Sequence, residues 1–291
     1  PWSRDSYAFD TTLDEDWEYI HIGYEVGIEE GRTTKEWIAE EKKRLTPMEF
    51  KVLYESQFPD KSLDVMFDIE KLTACMRKKE EIISFEQLSR DNFELLKKEG
   101  VNEVCLGCDV ARFGDDSTVI YLRSKGKVYS KDVLKHNDTQ QVAGFINNVG
   151  LLVKKVEITP LCANIDDDGV GGGVVDRLKE ESIWTRVNKI HNGGKPMDPE
   201  KYANRVTELW FWLVDNLDKL SLPYDKQLIK DCVTRKYTHK GTGLRILEKK
   251  SDMKKRGLKS PDSADALAYC FADYTEPKGL QFREVDSSGV L

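Results

Sequence analysis

Three aspartates stand where a packed apolar segment would not ordinarily carry a charge. Asp109 closes the apolar run 104–108 (VCLGC), Asp166 closes the run 161–165 (LCANI), and Asp265 lies between Ala264 and Ala266 in a segment with buried helical spacing. A lone carboxylate at such a place is costly unless something compensates it. In open α/β sheets the carboxyl ends of the strands are also where ligands collect. If the three side chains converge, they form a site for hard divalent cations. Two Mg2+ or Mn2+ ions about 3.5–4 Å apart could be held there by carboxylate oxygens, one activating water and the other stabilising the leaving 3'-oxygen of a phosphodiester. Asp109 is expected to bridge, with Asp166 and Asp265 completing the set.

Other acids lie close by in sequence. Ser260 suits an N-cap and Pro261 a first helical position, which puts Asp262 one turn before Asp265 on the same side. Helix-dipole complementarity alone would also account for Asp262. Asp115 and Asp116 follow Gly114 in a turn, where aspartate is common in any case. Asp167 and Asp168 lead into the glycine run 169–173, and Asp168 is kept with Asp115 and Asp116 as auxiliary. That run fits neither GxxxxGK[ST] nor GxGxxG and reads as a tight strand-to-helix turn.

These residues must be positioned by a sheet. Runs 104–108 and 118–122 read as the two strands of a hairpin, and 126–134 as a third strand. A helix over 138–149, the strand 161–165, a helix over 172–180 and a strand over 184–190 follow. Three antiparallel strands followed by parallel strands with helices between them is the order of a ribonuclease H-like mixed sheet. In it the first and fourth strands are neighbours, so Asp109 and Asp166 end side by side. A helix over 199–220, a β-hairpin within 235–249 and a last helix over 261–274 complete this α/β domain, assigned to residues 66–276. The last helix is expected to bury Ala264, Leu267, Ala268 and Phe271. Within 66–99 the pattern is helical and charged, with Leu72, Met76, Ile82, Phe85, Leu88 and Leu95 as core candidates. Residues 1–65 form a different segment, with a short strand over 17–26 and two amphipathic helices over 33–45 and 46–56. Residues 277–291 lose periodicity and read as a mobile tail.

Composition narrows the class. The chain has 291 residues, 39% hydrophobic and 10% aromatic, with a formal net charge of -7. No apolar run approaches the ~20 residues of a membrane helix, and no signal peptide is evident, so no membrane partner is expected. The acidic balance argues against coating nucleic acid by bulk attraction. Lys249, Lys250, Lys254, Lys255 and Arg256 nevertheless form a basic stretch before the last helix. With Lys240 and Arg245 of the hairpin they are candidates for DNA phosphates, a solvated loop face being the alternative. Cys105 and Cys108 form a CxxC, but no second pair with zinc spacing exists, and all six cysteines read as reduced thiols.

On the stretches GCDVARFGDDSTVI (107–120), NIDDDGVGGGVVDRL (164–178) and KKRGLKSPDSADALAY (254–269), the sequence resembles the nuclease domain of the large terminase subunit of tailed bacteriophages. The resemblance spans 104–273. It implies that Asp109, Asp166 and Asp265 bind the metals, with Asp262 one turn before the last. It also implies an endonuclease cutting concatemeric double-stranded DNA in the host cytoplasm. The partners it implies are the portal protein, the small terminase subunit and an ATPase domain of the same full-length subunit, of which residues 1–65 would be the end. An isolated fragment would be a monomer and the assembled motor an oligomer. Two other classes are compatible with the pattern: an actin-like or sugar-kinase-type ATP-binding domain, and a non-catalytic module that binds DNA or the portal. No Walker A sequence occurs anywhere in the chain. Purified protein supplied with ATP and Mg2+ should therefore release no phosphate above background; sustained release would contradict the assignment.

Overall fold

The computed structural model describes residues 18, 20–45, 47–58, 64–77, 90–111, 117–240 and 243–275. The chain divides into two compact units, one reaching to Met66 and including Lys236–Thr238, the other comprising Phe67–Arg235 and His239 onward.

The smaller unit holds the helices Lys35–Arg44 and Pro47–Leu53. The Thr34 hydroxyl caps the first by accepting from the Trp37 N–H at 3.1 Å. Ile38 and Phe50 are buried, whereas Trp37 and Leu53 stay exposed. No strand forms among the described residues of 17–26. Residues 20–23 are irregular and Tyr24–Glu29 is a helix whose Tyr24 ring meets Phe50 edge-on at 5.5 Å. An alternating segment needs a partner strand, and here aromatic packing replaces one.

The larger unit is built on strands β1 (Glu103–Asp109), β2 (Thr118–Ser124), β3 (Lys127–Leu134), β4 (Thr159–Asp166) and β5 (Arg186–Ile190), in the order β3-β2-β1-β4-β5. β1–β2 and β2–β3 are antiparallel, while β1–β4 and β4–β5 are parallel. This is the mixed α/β sheet expected from the order of elements. Cys108 pairs in register with Ile165, so the next residues, Asp109 and Asp166, leave adjacent strands at the same edge.

Strand parity sets the two faces. Val104, Leu106 and Cys108 of β1, with Ala163 and Ile165 of β4, enter a core completed by helices α1 (Thr139–Lys155) and α2 (Gly171–Glu181). Cys105, Gly107 and Asp109, with Cys162, Asn164 and Asp166, are therefore left for the opposite face. There lies α6 (Asp262–Cys270), whose residues from Ser263 on are all buried. Asn164 Nδ2 donates to the Tyr269 carbonyl at 2.9 Å. Helices α3 (Arg205–Asp215) and α4 (Lys226–Thr234) pack behind α6, and α5 (Lys250–Lys255) precedes it. A two-stranded sheet, Tyr237–Lys240 with Leu244–Leu247, stands in the place of the expected hairpin.

Several boundaries differ from expectation for local reasons. α1 runs to Lys155, because Ile146, Val149 and Val153 continue the buried stripe. The helix expected over 199–220 begins only after Asn204, whose side chain accepts from the Thr207 N–H at 3.1 Å. Between 90 and 98 the helix Arg90–Lys98 buries Phe93 and Leu96, leaving Leu95 55% exposed, so the core face is turned by one residue. Ile82, Phe85 and Leu88 lie outside the described residues. The N-cap of α6 is Pro261 rather than Ser260, and it makes no side-chain cap. Asp231 of α4 supplies one instead, accepting from the Ser263 N–H at 3.1 Å.

Gly107 brings α6 onto the sheet. A Cβ there would come within 2.2 Å of the Cys270 N and 2.5 Å of the Ala266 carbonyl oxygen, both backbone. Overpacking of this kind costs about 1–3 kcal/mol. Gly107→Ala should therefore lower the denaturation midpoint by that equivalent at unchanged m-value; wild-type stability would contradict this packing.

Candidate metal centre

Asp109, Asp166 and Asp265 converge where β1, β4 and the first turn of α6 meet. They are 5%, 6% and 0% exposed. The Lys250 ammonium lies 2.9 Å from Asp265 Oδ2, 3.3 Å from Asp109 Oδ2 and 3.7 Å from Asp262 Oδ1. A cleft of about 360 Å³ opens over this group, lined by Asp109, Asp166, Asp168, Asp262, Lys250 and Lys254 among others. A second, of about 340 Å³, is also lined by Lys250, together with Asp166, Asp265, Asn192, Arg235 and Lys249 among others.

The second strand-end acid is placed by a tight turn. Gly171 opens α2 with so little room that a Cβ would fall 1.7 Å from the Asp166 carbonyl oxygen. The glycine run therefore serves as the close strand-to-helix turn expected of it. The Asp168 N–H donates to Asp166 Oδ1 at 3.0 Å, and so does Asn192 Nδ2 at 3.2 Å. Asp265 is anchored from behind, its Oδ1 accepting from Trp210 Nε1 and Arg235 Nη1, both at 2.8 Å. Its Oδ2, fully buried, lacks a hydrogen-bond partner of good geometry and is answered electrostatically by Lys250.

The charge states follow. Burial, then the neighbouring Asp109 charge, pushes the Asp166 carboxyl up to about 8. Burial also raises Asp109, against the opposing pull of Lys250. Burial alone would raise Asp265 as well, but Lys250 and Arg235 outweigh it and hold that carboxyl below the usual range. Burial disfavours the Lys250 ammonium, yet Asp265, Asp109 and Asp262 together raise its pKa well above normal. Asp109 and Asp166 are close enough to share a hydrogen bond, so near neutral pH the pair retains a proton.

Among the described residues, four carboxylates thus face two paired cations, Lys250 and Arg235, and one buried oxygen has only an electrostatic partner. Hard oxygen donors in net negative excess suit Mg2+ or Mn2+. Asp109, Asp166 and Asp265 would hold such ions, with Asp262, 23% exposed at its side chain, at the rim.

The remaining candidates divide. Asp168 lies at the cleft, but its carboxylate takes the Asn192 N–H at 2.8 Å and faces His191 at 3.4 Å, which makes it a brace for the turn. Asp115 and Asp116 fall outside the described residues. Lys249 and Lys254 line the clefts. Lys240 is exposed. Lys255 pairs with Asp252 at 2.7 Å, and Arg256 with Glu248 at 2.5 Å. Arg245 does not belong with the DNA candidates: it is 7% exposed, and its guanidinium lies 4.9 Å over the Phe211 ring. The CxxC is no ligand pair, since cysteines three apart on a strand face opposite sides. Cys105, Cys162 and Asp273 do gather within 4.8 Å, but Arg123 engages the Asp273 carboxylate.

Sequence reasoning passed over Trp210, Arg235, Asn192 and Tyr269. Only Asn192 carried a signal, because it follows the carboxyl end of a strand beside one ending in a candidate ligand.

No protein-family model matches the sequence, and no curated protein is similar to it. Solved structures are. The nuclease domain of the large terminase subunit gp2 of bacterial virus Sf6 is 18% identical over 71% of this chain and 97% of its own, with a TM-score of 0.53. A lysine-to-alanine mutant of that domain, solved with manganese and beta-thujaplicinol, matches to the same extent. The large terminase nuclease from thermophilic phage G20c with bound magnesium gives 14% identity, 58% and 80% coverage and a TM-score of 0.42. The larger unit thus has the fold of the Sf6 terminase nuclease domain.

Raising a carboxyl pKa on folding opposes folding once the unfolded chain ionises, near pH 4, and the opposition grows until the pH passes the folded value. Metal-free protein should accordingly lose stability between about pH 4 and about 8. Asp166→Asn should have a higher denaturation midpoint than wild type at pH 8 and an equal one at pH 4; parallel pH profiles would contradict the assigned proton.

Proposed function

We propose that this chain carries the metal-dependent endonuclease domain of a phage DNA-packaging terminase, cutting concatemeric double-stranded DNA in the host cytoplasm. The observation that supports it best is the convergence of Asp109, Asp166 and Asp265, from two neighbouring strand ends and one helix, around Lys250 and the two clefts beside it. The Sf6 domain of the same fold is a terminase nuclease and has been solved with manganese.

Divalent cations held there would supply an activated water and stabilise the leaving 3'-oxygen. The chain's own residues do the rest. Asp109, beside Asp166 and Lys250, would supply the bridging carboxylate to such ions, and Asp166 and Asp265 would complete their ligand set. Deprotonation of the Asp109–Asp166 pair accompanies cation uptake, so uptake strengthens as pH rises towards about 8. Lys250 must give up its contacts with Asp109 and Asp265 for the cleft to fill, and its ammonium is then free to meet a phosphate. Lys249 and Lys254 extend the positive rim along the path of a backbone. The larger unit contains one five-stranded sheet among the described residues, whereas the actin-like alternative needs two such domains.

The portal protein, the small terminase subunit and an ATPase domain of the same subunit are the partners this reading assigns. Residues 1–65 would be the end of that ATPase domain and 277–291 a tail. A lone copy would be a monomer and the working motor an oligomer. Among the described residues no helix is long and apolar enough to cross a membrane.

Supercoiled plasmid incubated with the protein and Mn2+ should be nicked and linearised, and Asp109→Asn should abolish cutting while still unfolding in a single cooperative transition. Lys254→Ala should weaken DNA binding on any sequence and lower the salt slope by about one. Intact plasmid at high protein concentration would overturn the reading.

A further inference from the structure

Asn192 has every polar group engaged around the metal centre. Its N–H donates to Asp168 Oδ2 at 2.8 Å, and its carbonyl accepts from the Val206 N–H at 3.1 Å. Its side-chain Nδ2 donates to Asp166 Oδ1 at 3.2 Å, and its Oδ1 lies 2.8 Å from the Tyr269 hydroxyl. The direction of this chain follows from its ends: Asp166 Oδ1, which already accepts the Asp168 N–H, meets the amide nitrogen, and the amide oxygen is left to face the Tyr269 hydroxyl. Tyr269, on α6 four residues after Asp265 and fully buried, is then the donor that fixes the amide. With the Asp168 N–H, two donors converge on Asp166 Oδ1 and leave Oδ2 for the cation side.

We infer that Asn192 and Tyr269 are positioning residues for the metal ligand Asp166: Tyr269 orients the Asn192 carboxamide, which turns one oxygen of Asp166 away from the cleft and presents the other. This rests on the nuclease reading and extends it to residues that touch neither metal nor substrate. The relay also joins the strand-end ligand to the helix carrying Asp265, so one packing arrangement sets both. Outer partners of this kind typically govern 10- to 100-fold in metal affinity.

The test is calorimetric titration of Mn2+ alone into the purified full chain, with melting in EDTA as the control for folding. Asn192→Ala should weaken Mn2+ binding about 10- to 100-fold and Tyr269→Phe by less. The double variant should be no weaker than Asn192→Ala, because Tyr269 acts through Asn192. Cutting by Tyr269→Phe should need more Mn2+ for half-maximal rate yet approach the wild-type rate at saturation. If Asn192→Ala melts early, Tyr269→Phe, which keeps the ring, decides the matter. Affinities within twofold of wild type in both variants, while Asp109→Ala loses binding, would overturn the relay and spare the nuclease reading. Failure of wild-type protein to take up Mn2+ would remove both.

Discussion

The governing constraint is repulsion among carboxylates held out of water. Two like charges a few ångströms apart and screened by protein rather than solvent repel strongly, and each has also lost hydration. The cluster is relieved in three ways: Lys250 reaches Asp109, Asp262 and Asp265, Arg235 pairs with Asp265, and burial beside one another raises the carboxyl pKa values of Asp109 and Asp166. Each answer relieves the cluster only in part. A dication at the strand ends would do so more fully, and the residual imbalance is what suits the cleft to a cation. Strain of this sort tends to be kept where function needs it.

The rest of the fold can be understood as what keeps the acids from drifting apart. Parallel pairing of β1 with β4 puts Asp109 and Asp166 on one edge, and parity turns both towards α6. Gly107 lets that helix sit directly on the sheet, and Gly171 lets α2 begin immediately against the end of β4. Trp210 and Arg235 clamp Asp265 from behind, and Asp231 caps the helix it stands on. On the other face the apolar layer of α1 and α2 closes the core against the sheet. Among the described residues the cluster is therefore braced from the sheet and from behind α6.

Much of this could be read from the sequence where local pattern and tertiary outcome agree. An acid ending an apolar strand has few innocent explanations, and so Asp109 and Asp166 stood out; Asp265 did so as a charge inside an alanine-rich buried helix. The strand order followed from the alternation of elements. Other features depend on which surfaces meet, which a single chain does not display. Lys250 and Arg245 looked alike as members of a basic neighbourhood, yet one reaches the acids and the other packs on Phe211. Trp210 carries no local sign of its role because its indole N–H has a partner only once α6 is in place. The turned face of the helix Arg90–Lys98, burying Phe93 rather than Leu95, reflects an apolar stripe too short to fix its own phase.

The most direct test of the account is crystallographic. Crystals of the protein soaked in Mn2+ and measured at the manganese absorption edge should show anomalous density between Asp109 and Asp166 and towards Asp265, with the Lys250 side chain withdrawn from the acids. Anomalous density confined to surface sites, with Lys250 still in contact with Asp109 and Asp265 at saturating Mn2+, would contradict it.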